Sequence, residues 1–258
     1  MSMLYSYAEL PRTGLGNMLF PWARSIIFAY HNKCPIIAPQ WVKINRIGPW
    51  LRGERDKRYY FAQFTNTGYI QGLRRRLILW VSKRIDEGEY YDGRCGVCVF
   101  SGMRGYFKDI CNYRDVVRNE IARISAPKIR EALDLLPNEF IGVHVRRGDF
   151  TTIGLTQQEG YYLHAIEKAN ELAGRVMPVL VFSDGRQEEL RYFLKFENVR
   201  LMPPASALQD LLSLARSKVL VATNNSTFSA WANFLGGMKS VWSKDGEPPD
   251  AIFDSVLV

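Results

Sequence analysis

A chain of 258 residues, 47% of them hydrophobic, can form one large domain or two small ones, each with a buried core. No run approaches the ~20 apolar residues of a membrane span, and Met1 to Gly14 lacks the charged-then-apolar layout of a secretory signal, so a globular, cytoplasmic protein is expected. The net charge of +8 is uneven: residues 1–135 hold 22 Lys and Arg against 12 Asp and Glu, residues 136–258 hold 12 against 14. A basic half suits an anionic partner, whether nucleic acid, an acidic membrane surface, or a phosphorylated or lipid-linked substrate; solvated surface charge is the plain alternative.

Leu4 to Ala8 reads as a first strand, Pro11 to Asn17 (PRTGLGN) as a turn, and Met18 to Tyr30 as a buried helix. Strand, glycine loop and helix aim backbone N–H groups and a positive helix end at a phosphate or polar ligand. A tight turn explains the glycines equally well, because Leu19 stands where a dinucleotide fingerprint has its third glycine and no P-loop lysine follows. Cys34 to Ala38 is a second strand. Trp41 to Arg58 lacks periodicity, is rich in Trp, Lys and Arg, and carries turn signals at Gly48-Pro49 and Arg52-Gly53. Loops this long inside a domain are functional or disordered, and these side chains suit stacking on sugars or anchoring the loop itself.

Leu73 to Ile85 (LRRRLILWVSKRI) reads as one helix, either half-buried or lying on a membrane surface; on its wheel Arg84 falls beside Leu73 and Leu77. Cys95 and Cys98 have the spacing of a zinc knuckle or redox pair, but no second CxxC or His pair follows, so all four cysteines are expected to be reduced structural thiols. A strand over Cys98 to Met103 and helices over Tyr113 to Ile124 and Pro127 to Leu136 complete a first domain, 1–137. From 138 to 258 the pattern alternates. Strands at Phe140 to Val145, Pro178 to Ser183, Val199 to Met202, Val219 to Thr223 and Ser240 to Trp242 are separated by helices at Gly160 to Ala173, Gln187 to Lys195, Ser206 to Ser217 and Thr227 to Leu235. Alternation means a parallel sheet with right-handed crossovers, hence a Rossmann-like α/β domain.

Ligands of such sheets sit outside the carboxyl ends of the strands. Behind the first of these strands stands Arg146-Arg147-Gly148-Asp149, and paired guanidinium groups suit a phosphate, although a structural Arg–Asp pair in a surface loop would look the same. Ser183 and Asp184 close the next strand. Asn224-Asn225-Ser226-Thr227 follows Val219 to Thr223 and has the composition of an N-cap, which is also a seat for a pyrophosphate.

These residues carry a resemblance. His144 to Phe150 (HVRRGDF) resembles the hallmark motif of the α1,2-fucosyltransferases, which group with the α1,6- and protein O-fucosyltransferases. Gly14 to Phe20 (GLGNMLF) resembles the family's GLGNQMF, and Arg104-Gly105-Tyr106-Phe107 its GYFQ segment. Asp210 to Ser217 with Asn225 to Trp231 (NSTFSAW) resembles its closing block. The resemblance implies a GT-B-like pair of Rossmann-like domains facing a cleft, GDP-fucose as donor, no metal, and inversion from GDP-β-L-fucose to an α-L-fucoside. It implies that Arg146 holds the β-phosphate and that Arg147 supports the same loop or binds phosphate. It further implies that His144 and Asp210 face the guanine, that Ser226, Thr227 and the backbone near Phe228 take the phosphates, and that Gly14, Gly16 and Asn17 line the cleft. Inversion needs a base, and Asp149 is the candidate nearest the arginines, with orienting Arg146 or Arg147 as its other role.

The sequence departs from the family at Met18, Pro21-Trp22 and Lys108, where glutamine or Gln-Tyr is usual, which leaves the acceptor and the exact GDP-deoxysugar open. The reading is a cytoplasmic glycosyltransferase making a bacterial surface glycan or O-antigen precursor, its basic half toward a lipid-linked oligosaccharide at an anionic inner membrane surface. A nucleic-acid-binding protein is the rival from another class; no recognition motif supports it.

Overall fold

The computed structural model describes residues 3–41, 60–148, 150, 154–245 and 254–258, and these fall into two compact units meeting at Pro127 and Lys128, ahead of the border expected at Pro137. Each unit is built on its own parallel sheet.

The first unit comprises β1 (Leu4–Glu9), α1 (Leu15–Asn32), β2 (Ile36–Ile37), α2 (Gly72–Val81), β3 (Arg84–Asp86), β4 (Gly96–Ser101) and α3 (Arg114–Ile124), with strand order β2-β1-β4-β3. Helix α1 starts three residues before the expected Met18, because extended Gly14 already serves as its N-cap. It is buried nearly all round, as a helix apolar on every face must be. Trp41, expected in a sugar-stacking or self-anchoring loop, is 2% exposed, stacks on Phe64 at 3.7 Å and donates its indole N–H to Asn66. It anchors; the rest of that loop, residues 42–58, lies outside the described residues. The long helix expected over Leu73 to Ile85 is corrected: it ends at Val81, Ser82 is extended, and Arg84–Asp86 pairs with β4. Ile85 decides this, since its side chain is 1% exposed within the sheet. The cysteines are free thiols, as expected, and burial pushes the Cys34 thiol up to about 11 and the Cys98 thiol up to about 12.

A buried arginine ties this unit together. Arg24 of α1 grips Glu87 with two hydrogen bonds (2.8 and 3.0 Å) and donates to the carbonyls of Ser101, Gly102 and Arg104. It thereby fixes the turn Arg104-Gly105-Tyr106-Phe107, in which Phe107 packs edge-on against Phe20 at 4.9 Å. Gly105 lies at φ +66°, and a Cβ there would fall 1.8 Å from the Asp109 carboxylate.

The second unit holds most of α4 (Pro127–Asp134), then β5 (Ile141–Val145), α5 (Glu159–Ala173), β6 (Val179–Ser183), a 3-10 helix (Gln187–Lys195), β7 (Val199–Leu201), α6 (Ala207–Leu214), β8 (Val219–Val221), α7 (Thr227–Gly236), β9 (Lys239–Trp242) and β10 (Ser255–Leu257). Arg216 draws α4 in by donating to the Leu133 carbonyl at 2.7 Å. Strand β10 was not foreseen; it is three residues long and extends the sheet beyond β9. The order β10-β9-β8-β5-β6-β7 is, counted within the unit, 6-5-4-1-2-3, the order of a dinucleotide-binding Rossmann sheet. Ile141, Val143 and Val145 face α5 in one core, while Gly142 and His144 alternate to the face covered by α6 and α7. A Cβ on Gly142 would meet Ser217 Cβ at 2.9 Å, so this glycine is what lets α6 close on the sheet.

Replacing Arg24 by Ala would leave the Glu87 carboxylate, 11% exposed, without its partner. The expected loss is about 3–5 kcal/mol in urea unfolding; a loss below about 1 kcal/mol would show that the Arg24 cluster contributes little.

Candidate active site

In this strand order the chain leaves β5 toward one side of the sheet and β8 toward the other, so a crevice opens between their carboxyl ends. Four polar side chains close its floor. The Thr223 hydroxyl donates to the His144 carbonyl (2.7 Å) and accepts from the Arg146 backbone N–H (3.1 Å). Tyr162 lies 3.0 Å from the same oxygen; burial pushes its phenol up to about 12, so it stays protonated and serves as the donor. Asn224 is committed to the backbone of Ser243, donating to its carbonyl and accepting from its N–H, and Tyr161 donates to the carbonyls of Ala222 and Val241. The crevice is thus pinned on both sides.

The two arginines have different environments. Asp184, just past β6, accepts the Arg147 backbone N–H at 2.7 Å through one carboxylate oxygen and the Arg146 guanidinium at 2.5 Å through the other. Arg146 is 22% and Asp184 17% exposed, so this charged pair is largely withdrawn from solvent while its edge stays open. Gly148 makes room for it: a Cβ there would fall 2.5 Å from the carboxylate. The Arg146 guanidinium also lies over the Phe150 ring, 5.8 Å from its centre. The Arg147 charge instead acts on the buried phenols of Tyr162 and Tyr192, where it opposes the upward shift that burial causes.

His144 is buried. Burial first, and the Arg146 charge second, hold its imidazole down to about 3, so it is neutral at ordinary pH. Ser229 lies 2.7 Å from His144 Nδ1 and accepts the Thr223 N–H at 3.1 Å. In this pair either atom can be the donor, according to the tautomer of the ring. The imidazole packs against Phe228 at 4.9 Å between ring centres.

Helix α7 opens beside this group. Ser226 is its N-cap, accepting from the Ser229 N–H at 3.3 Å, and Asn225 before it adopts a left-handed φ of +56°. The structure therefore brings His144, Arg146, Arg147, Asp184, Ser226 and Phe228 to one edge of the sheet. Thr227 follows Ser226 as the first residue of α7. Ser183 turns to its own loop, accepting from the Gly185 N–H at 3.0 Å. Asp210 sits in the first turn of α6, at the same carboxyl edge. Asp149, the candidate base, lies outside the described residues. Thr223, Ser229 and Tyr162 were missed; the signal available was a hydroxyl at the end of an apolar strand and another three residues into an apolar helix.

In the first unit Gly14, Gly16 and Asn17 begin α1, where the Leu15 N–H is taken by the Tyr60 hydroxyl at 3.2 Å. Among the described residues, no atom beyond its two chain neighbours lies within 4 Å of a Cβ built on Gly14, so their packing does not demand a glycine there. Met18, Pro21 and Trp22, three of the departures from the family pattern, are buried in the core, while Lys108 is exposed. An apolar Met18 needs no hydrogen-bond partner where a glutamine would.

A model of the family described as Glycosyl transferase family 11 matches residues 96–255, more than half of the chain. The chain belongs to glycosyl transferase family 11. It is an enzyme of the fucosyltransferase family whose motifs it carries. The comparison with curated proteins returned no match. Among solved structures, this family 11 chain resembles fucosyltransferase NodZ from Bradyrhizobium at 18% identity and a TM-score of 0.63, over 91% of this chain and 94% of that one. NodZ α1,6-fucosyltransferase soaked with GDP-fucose gives 19% and 0.59, over 91% and 93%. POFUT1 in complex with GDP-fucose gives 12% and 0.55, over 93% and 98%. These likenesses establish the α/β, GT-B-like fold.

The state of His144 has a consequence for stability. With 6.5 as the unfolded value and about 3 as the folded one, the unfolded chain binds a proton below pH 6.5 that the folded chain does not. Stability is therefore lost as pH falls from 6.5 toward 3, by on the order of 1 kcal/mol between pH 7.5 and 5.5. Urea unfolding of wild type and His144→Gln at the two pH values is expected to show this component only in wild type. Equal losses in both proteins would mean that the imidazole is not held neutral.

Proposed function

We propose that this enzyme moves L-fucose from GDP-β-L-fucose to a sugar hydroxyl with inversion, forming an α1,2-type linkage. The observation that carries the donor side is Arg146 held by Asp184 at the switch point of a Rossmann-ordered sheet, beside the capped start of α7. The solved structures similar in fold include complexes with GDP and GDP-fucose, which supports the same donor here.

In this reading the diphosphate lies across the α7 N-terminus, with Ser226, Thr227, Asn225 and the Phe228 backbone around it. The helix end and its N–H groups favour negative charge there. As the anomeric C–O bond breaks, its electron pair goes to the β-phosphate, and the Arg146 guanidinium stabilises the charge that develops. Arg147 supports the loop from behind through Asp184, and Ser183 shapes the turn that presents it. Since the arginines supply the positive charge, the reading calls for no metal. The neutral His144 and Asp210 take the guanine, the carboxylate accepting from N1–H and the exocyclic amine. Gly14, Gly16 and Asn17, in the N-terminal, acceptor-side domain, are the further donor-binding residues of this reading. The acceptor oxygen bonds to the anomeric carbon as its proton passes to a base, for which Asp149 is proposed.

The acceptor is proposed to be a bacterial surface glycan or an O-antigen precursor carried on a lipid-linked oligosaccharide, modified in the cytoplasm with the enzyme peripheral to an inner membrane. A related GDP-deoxysugar is the second reading for the donor, favoured by exposed Lys108 where the family has glutamine. Nucleic acid has no place in this reading.

Calorimetric titration with GDP, GDP-fucose, GDP-mannose and UDP, in EDTA, tests the donor. GDP and GDP-fucose are expected to bind, and Arg146→Ala to weaken both roughly 10- to 100-fold, the worth of a charge-assisted hydrogen bond. Asp184→Asn should weaken them less, because the guanidinium loses its support and keeps its charge. Preference for UDP, or no nucleotide bound by folded protein, would sink the proposal.

A further inference from the structure

Helix α2 is inside out. On a wheel of 100° per residue, Leu73, Leu77, Trp80 and Val81 form one stripe, with Arg76 on one flank and Arg74 on the other. The apolar stripe points away from the protein: Leu73 is 81% exposed, Leu77 56%, Trp80 82% and Val81 62%. A shallow groove on this face is lined by Leu73, Arg74, Arg76, Leu77 and Trp80. The charged residue of the opposite face, Arg75, is turned inward. Its guanidinium donates to the Ala38 carbonyl (2.8 Å) and the Tyr7 hydroxyl (3.1 Å) and lies over the Tyr7 ring. Ile78 is buried beside Tyr7, Ile37, Val97 and Val99, with Leu79 packed against the same cluster. Rolling the helix to hide its leucines would break the Arg75 bonds and expose Ile78, so the outward face is fixed by the inward one.

The charge of this segment is one-sided, although Arg75 is turned inward and Arg84 pairs with Glu9. Tyr60 to Ile85 contains five Lys and Arg and no Asp or Glu. A stripe of Leu and Trp flanked by guanidinium groups is what the boundary of an anionic bilayer takes up: acyl chains accept the apolar side chains, headgroup phosphates accept the arginines, and the indole sits between. The end of the helix at Val81 completes the match, because Arg84, which would have interrupted the stripe, lies in β3 and bonds Glu9. Among the described residues no helix is long and apolar enough to cross a membrane, so contact through this helix would be at the surface.

We propose that the outward face of α2 is a docking surface for an anionic lipid bilayer, with Leu73, Leu77, Trp80 and Val81 entering the headgroup–acyl boundary and Arg74 and Arg76 contacting lipid phosphates. This deepens the membrane-side part of the proposed function and rests on it for the lipid-linked nature of the acceptor; the surface itself rests on the geometry of α2.

The test uses the full chain and vesicles of phosphatidylcholine with about 30% phosphatidylglycerol, in co-sedimentation and in quenching of Trp fluorescence by brominated lipid. The other tryptophans among the described residues, Trp22, Trp41, Trp231 and Trp242, are buried, and the part of the quenching that is lost in Trp80→Ser is the part that reports Trp80. Wild type is expected to bind, less so as salt is raised. Leu77→Ser with Trp80→Ser should weaken binding at least roughly tenfold, and Arg74→Gln with Arg76→Gln about fivefold for each arginine. Circular dichroism and GDP titration of each variant confirm the fold and keep the two readings apart: vesicle binding without GDP binding defeats the donor assignment and leaves the surface standing. No binding at low salt, equal binding of neutral vesicles, or binding unaffected by both double variants overturns the surface. Self-association abolished by Leu77→Ser with Trp80→Ser, without vesicle binding, would assign the face to a second copy and overturn it equally.

Discussion

The second unit depends on what happens where its sheet changes direction. A parallel sheet in the order 6-5-4-1-2-3 leaves β5 and β8 adjacent in the middle while the chains leaving them diverge. Diverging backbone exposes unpaired N–H and C=O groups beside a buried core, and each must find a partner. Thr223 supplies one by holding the His144 carbonyl and the Arg146 N–H at once. The position is thus constrained by backbone satisfaction before any ligand is considered. The loop bearing the two arginines starts from a point that cannot slide, which is the preorganisation that transition-state electrostatics need.

Asp184 extends the same logic from backbone to charge. A guanidinium beside a buried strand would be costly to hold in one place without an anion, and an unpaired carboxylate there would repel the diphosphate proposed to bind. Pairing them resolves both difficulties, with one carboxylate oxygen on the Arg147 backbone and the other on the Arg146 side chain. Gly148 follows from this pairing, since any side chain there would displace the carboxylate. The sequence Arg-Arg-Gly is therefore a set of jobs determined by one aspartate 37 positions from Arg147. Arg146 faces the open edge, Arg147 lends its N–H and lies toward the tyrosines, and the glycine keeps clear.

Much of the fold was legible because it is written locally. The unbroken apolar run ending in charge at Arg146 announced a buried parallel strand and the side of the sheet on which a ligand would lie, and the helices and strands after it follow in the expected order. The partners within the site were not legible. His144 with Ser229 and Asp184 with Arg147 are separated by 85 and 37 residues, and no local pattern encodes such distances. Trp41 was open for another reason: an aromatic among arginines suits stacking on a ligand and anchoring a loop alike, and burial decides for anchoring. Chemistry of side chains suggested the site; burial decided which of them belong to it.

Helix α2 shows how a boundary error hides a surface. Read as thirteen residues, Leu73 to Ile85 mixes Arg84 into its apolar stripe and looks only weakly amphipathic. Read as Gly72–Val81, it separates cleanly, but with the apolar stripe outside. Helix propensity did not require this, for lysine or glutamate would serve an exposed helix position as well as leucine and better than tryptophan. The compensation for the inward arginine is also specific: two hydrogen bonds and an aromatic face are what a half-buried guanidinium needs to remain charged away from water. A helix that spends this much polar bonding to keep Arg75 in and leaves Trp80 out gains nothing by it within its own unit. The gain lies in what the stripe contacts, and its basic flanks set the sign of that surface.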